Sequence, residues 1–174
     1  MATYTLISSN VLASTATSVS LSSIPATYTD LLVKISARSS NSGSIDNSLN
    51  MTYNNSTGSY SVTTLKGEVA GFPSSGRSSN QSKNNFAGNV SGSTATANTF
   101  SNTEIYIPSY TVSQNRPSSH FSVSESNDVN GPTIYGNAGL RSNTTAVSSI
   151  EFTLSGGNSF SIGSSFDLYG ISNA

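Results

Sequence analysis

The sequence predicts an all-β protein, an antiparallel β-sandwich of about ten short strands with no substantial helix. Three observations predict it. Apolar residues recur with period two from one end to the other, and no window repeats them at i, i+3, i+4 and i+7 over three turns. The alternating runs are short and separated by clusters of Ser, Thr, Asn and Gly. The five prolines mark the breaks between runs, as expected of a residue that cannot donate to a sheet ladder.

In chain order, TYTLI at residues 3–7 reads as a first strand, and Val19 with Leu21 as the buried side of a second. Pro25 then precedes the best-patterned stretch, SSIPATYTDLLVKISARS at 22–39. There Leu31, Val33, Ile35 and Ala37 share one face, while Asp30, Lys34, Ser36 and Arg38 share the other with Leu32, a face expected to be largely wet. Half-buried faces follow at Leu49, Met51 and Tyr53, at Tyr60, Val62 and Thr64, and at Ile105 with Ile107, where Pro108 stops the strand. Further faces are read at Phe121 and Val123, at Ile134, Ala138 and Leu140 behind Pro132, at Ile150, Phe152 and Leu154, and at Phe160, Ile162, Phe166 and Leu168. Pro73 and Pro117 are assigned to polar connections. Residues 71–99, which open GFPSSGRSSNQSKNNF, lack alternation and read as a long polar loop. With no internal repeat and no dividing linker, residues 1–174 form a single domain, and the strand count fits a jelly roll ahead of an immunoglobulin-like sandwich.

Composition narrows function by exclusion. Charged residues are 9% of the chain, against about 25% in typical proteins, so solubility rests on hydroxyl and amide groups. Seven basic and eight acidic residues are scattered singly, without the Lys/Arg stripe that nucleic-acid binding needs. Without cysteine there is no disulfide framework and no thiolate metal site. The N-terminus lacks the basic and apolar regions of a secretory signal, and no run is apolar enough to span a membrane, so a chain made in the cytoplasm is expected.

Catalytic chemistry is not spelled out. His120, in SSHFSVSES, is the sole histidine, and alternation puts it on an outer face with Ser122 and Ser124, as a surface or interface side chain. No G-x-S-x-G elbow, S-x-x-K pair, G-x-G-x-x-G run or P-loop occurs, so neither an enzyme nor a cofactor is expected. Glu125, Asn127, Asp128 and Asn130 in ESNDVNG are oxygen donors of the kind calcium uses, but the same residues ahead of Pro132 spell a tight turn. Asp46 is weighed in the same way, and no metal is expected. Tyr106, Tyr110 and Tyr135 are the tyrosines considered as outward-facing sugar-stacking groups.

Three stretches carry a resemblance: SSIPATYTDLLVKISAR at 22–38, EIYIPSY at 104–110 and GSSFDLYGI at 163–171. In these the chain resembles jelly-roll virion structural proteins of tailed bacteriophages, especially those of cyanobacteria and marine bacteria. The resemblance implies a homotrimer on the virion surface that decorates or cements the capsid through the major capsid protein, and it transfers no active site. The alternative it leaves is a tail or fibre module that binds a cell-surface glycan. Within the polar segment, Phe72 and Phe86 are the candidate apolar anchors of a partner contact, with Arg77 and Lys83 as its local cations.

Overall fold

A computed structural model describes residues 1–40, 43–68, 71, 73–127 and 133–172. The strands are β1 (Thr3–Val11), β2 (Ser18–Leu21), β3 (Asp30–Ala37), β4 (Asp46–Tyr53), β5 (Tyr60–Glu68), β6 (Ser74–Gln81), β7 (Asn84–Ser91), β8 (Ser101–Ile107), β9 (Arg116–Ser124), β10 (Thr133–Arg141), β11 (Ile150–Leu154) and β12 (Ser165–Ser172). They form two antiparallel sheets, one of eight strands ordered β1-β12-β3-β8-β9-β10-β5-β6 and one of four ordered β2-β11-β4-β7. The sandwich is therefore as expected, with twelve strands rather than ten.

The order contains a jelly roll and an addition to it. β1-β12-β3-β8 and β2-β11-β4-β7 interleave as the two four-stranded sheets of that topology. Two antiparallel pairs, β9 with β10 and β5 with β6, then continue the first sheet beyond β8, joined to each other where β10 pairs with β5. The three stretches that carry the family resemblance form β3, β8 and β12, which are neighbours in that sheet.

The apolar core fills the jelly-roll half. Leu31, Val33, Ile35 and Ala37 of β3 are buried as their alternation requires, opposite Leu49 and Met51 of β4 and Ile150, Phe152 and Leu154 of β11. Phe166 of β12 joins the sheets: its ring centroid lies 5.8 Å from that of Phe152 and 5.0 Å, edge-on, from that of Phe160. The second face of β3 is drier than expected. Asp30 is buried and accepts hydrogen bonds from the Ser109 N–H (2.7 Å) and the Tyr106 hydroxyl (2.8 Å), and Leu32 is buried beside it.

Gly170 of β12 sets one close packing distance. A Cβ there would lie 2.3 Å from the Tyr28 ring, so Tyr28 packs directly on the strand backbone. Gly170→Ala should push that ring away at a cost of about 2 kcal/mol, read as a lower urea midpoint with unchanged slope.

Several sequence expectations need correction. The segment 71–99 is not a loop: β6 and β7 occupy most of it, joined through Ser82 and Lys83. Both escape an apolar count because β6 is an edge strand exposed along nearly its whole length, while the buried residues of β7 include Asn84, Gly88, Asn89 and Ser91. Pro117 lies inside β9, not in a connection. It is tolerated because β9 projects past β8 there, the last β8–β9 pair being Tyr106 with Ser119. Phe160 precedes β12, making isolated bridges to Ala16 and Ser39, and Ile162 is exposed. Tyr110 and Tyr135 are buried, which leaves Tyr106 as the outward tyrosine of the three considered. The expected turn at Asp128, Asn130 and Pro132 falls outside the described residues.

Candidate interaction surface

Beyond β8 the sheet turns inside out. Along β9 the residues facing the opposite sheet are Arg116, Ser118, His120, Ser122 and Ser124, all buried, whereas Pro117, Ser119 and Phe121 face solvent. β10 repeats the pattern, with Thr133, Tyr135, Asn137, Gly139 and Arg141 inside and Ile134 and Ala138 exposed. The faces expected to be half-buried at Phe121 and at Ile134 are therefore the outer ones, and His120 points inward.

Hydrogen bonds between small side chains hold the inner layer. The Ser122 hydroxyl accepts from the Asn89 N–H (3.0 Å) and lies 2.8 Å from the Thr103 hydroxyl, and Ser91 meets Ser124 at 3.0 Å. The Asn89 amide donates to Thr133 Oγ1 (3.1 Å) and to Asp46 Oδ2 (2.8 Å). β7 has no room for larger groups: a Cβ on Gly88 would lie 2.8 Å from Thr103 Oγ1. His120 Nε2 sits 2.8 Å from Ser118 Oγ. Burial pushes the imidazole down to about 4, outweighing the opposing pull of the Phe86 backbone, so the ring is neutral at pH 7.

The outer face collects what the inner one excludes. Leu65, Phe121 and Ile134 are 62%, 57% and 55% exposed, with Tyr106 further along the face. Register places them together: Gly136 pairs with Leu65 on one side and Phe121 on the other, and Ile134 pairs with Val123. Nothing lies within 4 Å of the point where a Gly136 Cβ would stand, which leaves an open slot between Leu65 and Phe121. Shallow depressions of about 360 Å³, toward Lys34 and Glu104, and about 430 Å³, toward Gly67 and Glu68, flank the Val123 position.

Four large side chains each exposing roughly half of some 150–200 Å² give an apolar area on the order of 400 Å². That is about half of the 800 Å² one partner contributes to a standard interface, and it matches the largest, often functional, patch of a typical monomer. The charges that share the face are Lys34, Glu104, Asp167 and Arg77, with Glu125 beside Val123 and Ile134 at its end, and Lys34 is paired to Glu104 at 3.4 Å.

Apart from Arg77 at the edge of that face, the residues singled out in the polar segment lie elsewhere. Arg77 and Phe86 border a groove of about 340 Å³ under the overhanging β6, where Phe86 stacks on Tyr135 at 6.4 Å. Lys83 sits in the β6–β7 turn and does not line that groove, and Phe72 falls outside the described residues. Glu125 accepts from the Asn127 N–H in a local turn (2.8 Å), and Asp46 is engaged by Asn89. Among the described residues no three His, Asp or Glu side chains converge as metal ligands. The outward apolar cluster was written in the alternation of β9 and β10; what alternation does not say is which face is covered.

No protein-family model matches the chain, and neither a curated protein nor a solved structure is significantly similar to it.

Proposed function

We propose that this chain is a non-enzymatic virion structural protein, a capsid decoration protein that assembles as a homotrimer through the outer face of β5, β10, β9 and β8 and binds the outside of the shell formed by the major capsid protein. The observation that carries the reading is the reversed polarity of the added strands. A sheet that buries serine, asparagine and histidine while exposing leucine, phenylalanine and isoleucine is explained by a partner that covers the exposed side. The surface is otherwise poor in charge, which suits contact with copies of itself. The resemblance of the stretches that form β3, β8 and β12 to phage virion structural proteins supports a place on the virion. Bridging neighbouring capsomers by burying contact area would stabilise the shell without chemistry.

Light scattering coupled to size exclusion tests the assembly. The expected species is three times the 18.0 kDa protomer, and the double variant Phe121→Ser, Ile134→Ser should elute as a monomer with its thermal melt nearly unchanged, since both side chains are exposed in the single chain. A wild-type protein that stays monomeric at every concentration tried overturns the assembly. A density map of purified particles tests the location: density for this chain on the capsid surface is expected, and density confined to the tail overturns the decoration role.

A further inference from the structure

Two arginines lie side by side inside the sandwich with no carboxylate between them. Arg116 opens β9, Arg141 closes β10, and the two are cross-strand partners, 1% and 3% exposed. Tyr60 of β5 completes the row, its ring centroid 5.9 Å from the Arg141 guanidinium carbon. Tyr53 of β4 packs on that row from the opposite sheet, its ring 6.2 Å from that of Tyr60. The ion pairs among the described residues are Lys34–Glu104 and Lys66–Glu68, neither of which involves this cluster.

Backbone carbonyls satisfy part of Arg116: Nη1 donates to Ser109 O and Nη2 to Val112 O (2.7 Å). Its Nε has no acceptor, nor do Nε and Nη1 of Arg141, and these three atoms and the Tyr53 hydroxyl, which has Ser118 beside it, are sealed from solvent. Burial raises the Tyr53 phenol well above its ordinary value, against the smaller opposing pulls of Ser118 and the two guanidiniums, so it is a neutral donor and not a counter-charge. Guanidinium groups do not deprotonate in proteins. Leaving two such charges buried and uncompensated would cost several kcal/mol each.

We infer that a small inorganic anion of the chloride class is bound between Arg116, Arg141 and Tyr53 as an integral part of the fold. Orphan donors on two packed guanidiniums, a formal charge of two and no described acidic neighbour are what such an ion neutralises. The near-complete burial of both arginines favours a small ion over a carboxylate side chain from a partner chain. This site stands apart from the outer face and does not depend on how the protein assembles.

Crystals of protein prepared throughout in bromide test it directly. One anomalous peak in contact with the Arg141 guanidinium is expected. Its absence, with the side chains placed as described, would overturn the inference in favour of ordered water. In solution, the melting temperature should rise by ~5 °C between gluconate and a bromide concentration about a hundredfold above Kd at equal ionic strength. Arg141→Met should abolish that halide response, and a variant that responds like the wild type would also overturn the site.

Discussion

Phe166→Ala is expected to cost about 4 kcal/mol, measured as the difference in unfolding free energy from urea titrations. The side chain projects from β12 of the eight-stranded sheet, is fully buried, and packs on Phe152 of β11 in the opposite sheet and on Phe160, so truncation removes a contact that joins the layers and leaves a cavity. A loss of that size is a large part of the 5–15 kcal/mol a domain typically has. By contrast, Phe121→Ala on the outer face should change the stability of the isolated chain by less than about 0.5 kcal/mol. Equal effects at the two positions would mean that the polarity of β9 is not as described.

Acid should destabilise the protein through one imidazole. His120 is buried and its folded-state value lies near 4, below the ordinary value of about 6.5 expected in the unfolded chain. Above pH 6.5 both states hold it neutral and its contribution is complete. As pH falls from 6.5 toward 4 the unfolded chain takes up a proton that the folded chain refuses, so stability falls by about 3 kcal/mol over that window and changes no further below it. The measurement is the unfolding free energy of wild type and His120→Gln from pH 7.5 to 4. The variant should lose about 3 kcal/mol less across the window, and parallel curves would show that the histidine is not held neutral.

How much of this was legible in the sequence depends on the half of the molecule. Where inward positions were apolar, as with Leu31, Val33, Ile35 and Ala37, alternation identified both the strand and its buried side. In β9 and β10 it identified the strands and inverted the sides, because covering Phe121 was the default assumption whereas the sheet covers Ser122. Hydrogen bonds to Asn89 and Thr103 compensate for burying that hydroxyl, and neither partner is near it in sequence. β7 was illegible for the same reason, and β6 because an edge strand exposed on both sides needs no alternation. The outer patch and the arginine pair come from register between distant strands, which single-strand patterns do not encode.

The order of the strands also governs when the protein can fold. β12 is wedged between β1 and β3, and β11 between β2 and β4, so the last-made strands occupy central places in sheets whose flanking strands are made first. At about 5–20 residues per second the first strand waits on the order of ten seconds for its only neighbour, and until then Tyr4 and Leu6 are carried on an unpaired edge. Sheet closure is thereby deferred to the end of synthesis of the domain, while the β5–β6 and β9–β10 pairs can form as local units beforehand. A nascent chain halted before Ser165 should be sensitive to protease along β1 and β3, and extension through β12 should protect both strands in one step.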